Sequence, residues 1–128
     1  MPGETILVVD DNAANLKLAR ILLQSDGYQV TTATNAEEAL RLLSTFTPRL
    51  ILMDIQLPGM DGLELTRRLK GEDATKDIVI LALTAYAMKG DEEKARAAGC
   101  DGYIAKPIDI DSLPQVIAEH LLAAKGRS

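Results

Sequence analysis

Apolar residues follow two rhythms along this chain. Short unbroken runs are ILVVD (Ile6–Asp10), LILMD (Leu50–Asp54) and IVILALT (Ile78–Thr84). Their length and their β-branched and Leu content predict strands covered on both faces. YQVTTA (Tyr28–Ala33) alternates more and holds two Thr, which predicts an edge strand. GYIAKP (Gly102–Pro107) reads as a short fifth strand ending in Pro.

Between the runs the spacing is helical. Asn12 or its neighbours can cap a helix carrying Leu16, Leu18, Ala19, Leu22 and Leu23, which Asp26-Gly27 ends. Asn35, with Glu38 three residues later, resembles a capping box before Ala36, Ala39, Leu40 and Leu43, and Pro48 is expected to stop that helix. LPGMDG (Leu57–Gly62) is loop chemistry, and Leu63, Leu65 and Leu69 lie on the helix after it. Met88–Ala98 reads as a helix stopped by Gly99. Asp111 is expected to cap a last helix bearing Leu113, Val116, Ile117 and Leu121, with Pro114 in its first turn. The sum is (βα)5, an α/β fold with a doubly wound parallel sheet and helices on both faces.

Composition narrows the class. The chain has 128 residues, 47% of them hydrophobic, enough for one domain (1–128) around one core. A net charge of −5 argues against binding a nucleic-acid backbone or an anionic membrane. No apolar run approaches the ~20 residues of a membrane helix, and MPGETILVV lacks the basic region of a signal peptide. Cys100 is the only cysteine, which rules out an internal disulfide or a Cys-based zinc site. The expectation is a small cytoplasmic protein.

The polar residues carry the functional reading. Ligands of an open α/β sheet bind outside the carboxyl ends of its strands. Those ends carry Asp10-Asp11, Asp54, Thr84 and Lys106-Pro107, whereas the opposite ends start with Glu4-Thr5, Arg49 and Asp77. At ~4 Å and an effective dielectric near 20, each like-charge pair of carboxylates costs roughly 4 kcal/mol. Protonation or a cation relieves this, and Mg²⁺, which binds through one or two carboxylates and keeps several waters, suits the oxygen ligands best. A carboxylate nucleophile, a metal, an ammonium and a hydroxyl are the equipment of phosphoryl transfer. Taken alone, Asp10 would be read as a helix cap and Thr84 as an ordinary strand residue. Their weight comes from the company of Asp54 and Lys106.

From about Thr5 to about Leu122 the chain resembles the receiver domain of bacterial two-component response regulators. The markers are Asp10-Asp11, LILMDIQLPGMDG around Asp54, Thr84-Ala85, and Tyr103 three residues before Lys106-Pro107. The resemblance implies strand order 2-1-3-4-5, the flavodoxin-like order. It implies that Asp54 accepts a phosphoryl group from a phosphohistidine on a histidine kinase or phosphotransfer protein. Asp11, Asp54 and the backbone carbonyl of Gln56 would ligate Mg²⁺, with Asp10 reaching it mainly through water. Lys106 would pair with the phosphoryl group, Thr84 and Tyr103 would act as switch residues, and the peptide before Pro107 would be cis. The partner-binding surface expected to change is roughly 88–122, with a downstream protein target, no direct DNA binding, and room for a dimer formed on phosphorylation. Gln56 and Tyr86 would flank the phosphoryl group and tune its lifetime. Neither is a strong base, so a long-lived phosphoform is expected.

Other classes fit less well. An Asp-nucleophile phosphatase would want a second Asp as general acid two residues after Asp54, where the chain has Gln56. A nucleotide-binding domain would want Gly at the first strand–helix turn, and DDNAAN has none. Only AAKGRS follows the receiver pattern, so no output domain is expected, and Met1 with a short leader makes a stand-alone receiver the preferred reading over one cut from a hybrid histidine kinase.

Overall fold

A computed structural model describes residues 3–57, 59–84, 89–106 and 108–125. Strands β1 (Thr5–Val9), β2 (Gln29–Ala33), β3 (Leu50–Asp54), β4 (Val79–Thr84) and β5 (Gly102–Ala105) alternate with helices α1 (Ala13–Ser25), α2 (Ala36–Leu43), α3 (Gly62–Lys70), α4 (Lys89–Ala98) and α5 (Leu113–Lys125). The strands form one parallel sheet in the order β2-β1-β3-β4-β5. This is the expected order, with β2 at an edge.

Successive strand side chains point to opposite faces, and both faces are dry. Leu7, Val9, Ile51, Met53, Ile80 and Ala82 meet Ala36, Ala39, Leu65, Leu69 and Ala95 of α2, α3 and α4. Ile6, Val8, Leu50, Leu52, Val79, Leu81 and Leu83 meet Leu16, Ala19, Leu23, Leu113, Ile117 and Leu121 of α1 and α5. Burying each large aliphatic side chain is worth roughly 1.5–3 kcal/mol, so the unbroken apolar runs dominate the drive to this fold.

Local chemistry starts the helices. The side chains of Asn12, Asn35 and Asp61 accept the backbone N–H of Asn15, Glu38 and Glu64 at 3.0, 2.8 and 2.8 Å. Glu38 reaches back to accept the N–H of Thr34 at 2.8 Å. Two expected boundaries are corrected. Pro48 does not end α2: the helix stops at Leu43, where the hydroxyls of Ser44 and Thr45 donate to the carbonyls of Arg41 and Leu42. Asp111 does not cap α5: it lies in the turn before that helix, and the Asp109 carboxylate accepts its N–H at 2.9 Å. Among the described residues no helix is long and apolar enough to cross a membrane.

One buried group carries a cost. The Tyr28 hydroxyl is buried and has no hydrogen-bond partner among the described residues. Burial, with the charges of Asp26 and Glu4, pushes its pKa up. An unsatisfied buried hydroxyl costs about 1–3 kcal/mol. Tyr28→Phe is therefore expected to leave the thermal midpoint unchanged or raise it. A clear drop would show that the hydroxyl makes a stabilising bond.

Candidate functional site

Register brings the chemistry to one rim. Val9 lies beside Met53, Asp54 beside Leu83, and Thr84 beside Ala105. The residues at or just past the strand ends therefore share one edge of the sheet. The backbone closes this edge further: the Lys106 N–H donates to the Thr84 carbonyl at 2.7 Å and the Ile55 N–H to that of Leu83 at 3.1 Å.

Asp10, Asp11 and Asp54 each offer a carboxylate oxygen, and the three oxygens lie within 4.8 Å of one another. Asp10 is fully buried and Asp54 is 2% exposed, while Asp11 faces solvent. The Lys106 ammonium sits 3.2 Å from Asp10 Oδ2 and 3.0 Å from Asp54 Oδ2. Thr84, also fully buried, ends β4 at the same rim.

Each buried carboxylate has neutral donors as well. Asp10 Oδ1 accepts the N–H of Asn12 at 2.9 Å, and its Oδ2 accepts the Asn15 carboxamide at 3.3 Å. Asp54 Oδ1 accepts the N–H of Gln56 at 2.9 Å. These bonds make two buried acids tolerable without cancelling their charge. Burial pushes the Asp54 carboxyl up, the Gln56 and Lys106 hydrogen bonds pull it down, and the Asp10 charge adds to the rise, which prevails. Burial alone would lower the Lys106 ammonium, but its bonds and proximity to Asp54 and Asp10 hold it above its ordinary value. Three acids against one ammonium leave an excess of acceptors converging from the ends of two strands, β1 and β3. Hard oxygen donors in excess of local positive charge suit a hard divalent cation.

The opposite end of the sheet is charged too, and two oppositely charged pairs form there. Glu4 meets Arg49 at 3.2 Å, and Lys70 meets Asp101 at 2.8 Å. Lys70 also donates to the Ile78 carbonyl at 2.7 Å, and Asp101 accepts the N–H of Ile80 at 2.9 Å. Opposite charges matched one to one hold elements together. Like charges gathered around one lysine call for a ligand.

The remaining expected residues fall as follows. The Gln56 side chain is exposed, with its main chain against Asp54. Tyr103 is half-buried on β5 and packs against the cluster under α2, α3 and α4, beside Ala82 in the register. Tyr86 and Pro107 lie outside the described residues. Asp61 stays out of the acidic cluster and caps α3. The Nδ1 of His120 lies 2.9 Å from the Val116 carbonyl on its own helix. Cys100 is buried with its sulfur 3.9 Å from the Thr66 hydroxyl, and burial pushes its thiol pKa up.

Two supports escaped the sequence reading. Asn15 sits five residues after Asp10, a spacing that places it on the first turn of α1, but nothing in the pattern points its carboxamide at an acid. Gly62 opens α3 directly against the backbone of Asp54 and Ile55, where a Cβ would stand 2.1 Å from the Asp54 carbonyl oxygen. The sequence signal was a Gly after an Asp, which reads equally well as a turn.

Known proteins share this architecture. The family model of the response regulator receiver domain matches residues 6–118. The polar-differentiation response regulator DivK of Brucella anthropi is 45% identical over 118 residues, covering 92% of this chain and 96% of that protein. A CheY-like response regulator receiver domain protein from Methanospirillum hungatei superposes with a TM-score of 0.91 at 31% identity, over 98% of this chain and 99% of that one. The receiver domain of a signal transduction histidine kinase from Syntrophus aciditrophicus gives 0.87 at 31% identity, over 94% and 92%. Sheet order, the acids gathered at one rim and a family match over most of the length agree: the chain belongs to the response regulator receiver domain family.

Proposed function

We propose that this chain accepts a phosphoryl group on Asp54 from a phosphohistidine of a histidine kinase or histidine phosphotransfer protein. The product is an acyl phosphate that changes the surface offered to a downstream protein. The observation that supports this best is the Lys106 ammonium shared between Asp10 and Asp54, beside the Asp11 carboxylate. An Asp54 oxygen forms the new bond to phosphorus as the bond from phosphorus to the histidine nitrogen breaks, and that nitrogen keeps the electron pair. The Gln56 N–H and Lys106 orient the Asp54 carboxylate. Lys106 is within reach of an oxygen added at Asp54, and the Thr84 hydroxyl is the second donor at this rim. Asp11, Asp54 and the Gln56 carbonyl would hold Mg²⁺, with Asp10 reaching it through water, and the cation would supply positive charge against the phosphoryl oxygens. Thr84 and Tyr103 are the switch residues of this reading.

The chain is a receiver acting through protein partners in the cytoplasm, with no direct DNA contact. Likeness to the DivK response regulator over 96% of that protein's length supports reading the chain as a regulator of that kind. Incubation with a small phosphodonor and Mg²⁺ tests the function. One phosphoryl group per chain without sustained turnover is expected, and continuous release of phosphate would indicate a phosphatase instead.

The raised Asp54 carboxyl makes a stability prediction. A carboxyl whose folded pKa lies above its unfolded value favours folding below that unfolded value, near 3.8, and the benefit is lost as pH rises through the folded pKa. The raised Lys106 has the same sign, but its loss falls only above its ordinary 10.5. Without metal, wild type should therefore lose stability relative to Asp54→Asn as pH rises from the ordinary carboxyl value of 3.8 through the raised pKa of the folded state. Stabilisation by Mg²⁺ should grow over the same interval. Thermal melts across pH, with and without Mg²⁺, check both. A difference independent of pH would contradict the assignment.

Lifetime is set by what flanks the acyl phosphate. The family resemblance implies that Gln56 and Tyr86 would flank it; neither supplies a strong base, and a residue as bulky as Tyr would limit the approach of water. Tyr86→Ala is expected to speed loss of the phosphoryl group severalfold, followed as decay of label after the donor is removed. An unchanged rate would count against a shielding role.

A further inference from the structure

We propose that Asn15 is a positioning residue for the cation site: its carboxamide holds Asp10 in place independently of Lys106. The inference rests on the reading that Mg²⁺ binds among Asp10, Asp11 and Asp54.

Asp10 is fully buried, so its carboxylate relies on fixed donors. Among the described residues, the Asn12 N–H holds Oδ1 at 2.9 Å, while Oδ2 receives the Asn15 carboxamide at 3.3 Å and Lys106 at 3.2 Å. The two donors on Oδ2 differ in kind. Lys106 also reaches Asp54 at 3.0 Å, so any group added at Asp54 competes with Asp10 for the ammonium. Asn15 has no such second commitment to Asp54. It is fixed from below, because its own N–H donates to the Asn12 cap at 3.0 Å and its backbone lies in the first turn of α1. When Lys106 turns toward a phosphoryl group, Asn15 still restrains Asp10.

A purely helical role does not account for this residue. The cap of α1 is already supplied by Asn12, and Ala13 and Ala14 occupy the neighbouring positions of the turn. Asn in a helix is roughly 0.7 kcal/mol less favourable than Ala. Its neutrality also matters. A lysine at position 15 would cancel one of the charges that draw a cation, whereas a carboxamide orients Asp10 and leaves the charge of the site intact. Partners that hydrogen-bond a metal ligand commonly change metal affinity by 10–100-fold when removed, and Asn15, whose acid meets the metal through water, belongs at the lower end of that range.

The test is calorimetric titration of the full chain with Mg²⁺ alone, which needs no phosphodonor and no tryptophan, a residue the chain lacks. Asn15→Leu keeps the side-chain size and removes the donor, and Asn15→Ala serves if the Leu variant fails to fold. The expected result is Mg²⁺ affinity about tenfold weaker with the metal-free melting midpoint little changed. In an Asp10→Asn background the same substitution should change affinity by less than about twofold, because the two residues act as one unit. Equal affinity for wild type and the Asn15 variant would overturn the inference. So would an equal loss in the Asp10→Asn background, since the effect would then not pass through Asp10. If wild type itself binds no Mg²⁺, the metal reading falls and this inference with it.

Discussion

Asp54→Asn is expected to abolish phosphoacceptance while the chain still folds. The amide keeps the shape of the side chain, but its single oxygen replaces only one of the two carboxylate oxygens, so it keeps either the Gln56 N–H bond made at Oδ1 or the Lys106 bond made at Oδ2, seen at 2.9 and 3.0 Å in the parent. It loses the nucleophilic carboxylate, and no other acid takes its place. Asp11 is solvent-exposed, and both oxygens of Asp10 are already held by donors. Label from a phosphodonor should fall to background, because an acyl phosphate cannot form without the nucleophilic carboxylate. Stability should move the other way. Burial disfavours the ionised form of Asp54, so without metal the neutral amide should melt no lower than wild type at neutral pH. Label incorporation and a thermal melt on the same preparation check both parts. A variant that takes full label would remove Asp54 from its role.

Gly62→Ala should be nearly as damaging, although residue 62 carries no functional group. A Cβ there would lie 2.1 Å from the Asp54 carbonyl oxygen and 2.8 Å from Ile55 Cα. Both are backbone atoms at the end of a central strand, so neither can rotate aside. Either α3 lifts from the sheet or the end of β3 is pushed away. Overpacking a core typically costs about 1–3 kcal/mol, and a backbone contact belongs at or above the top of that range. The loop from Ile55 to Asp61 must follow, and with it the Gln56 main chain that orients Asp54. Mg²⁺-dependent labelling should fall at least tenfold, with a lower melting midpoint. Gly90 provides the control. It lies in α4, where an added Cβ would meet no atom within 4 Å, so Gly90→Ala should be neutral or gain up to about 1 kcal/mol. Equal behaviour of the two variants would show that the close approach at Gly62 is unimportant.

How legible each feature was follows from the range of the physics behind it. The central strands could be read because burial on both faces demands unbroken apolar runs, and β1, β3 and β4 have them. The gathering of Asp10, Asp54, Thr84 and Lys106 was legible because parallel strands present their carboxyl ends on one edge. Helix ends were harder. Pro48 looked like the stop of α2, but Ser44 and Thr45 closed the helix with their own hydroxyls. Asp61 looked like a turn residue, yet the same side-chain chemistry made it a cap. What could not be read were contacts that the order and direction of the strands do not dictate. Lys70 pairs with Asp101 across 31 positions, and Gly62 meets Asp54 through its missing side chain. Neither leaves a periodic trace.

Locating the phosphoryl group on the chain tests the central claim most directly. After exposure to a phosphodonor and Mg²⁺, intact mass should rise by one phosphoryl group, lost on hydroxylamine treatment as an acyl phosphate is. Proteolysis should place it in the segment from Leu50 to Arg67 on Asp54, and omission of the metal should prevent it. A modification resistant to hydroxylamine, one placed outside that segment, or one formed equally well without Mg²⁺ would contradict the assignment of Asp54 and its cation site.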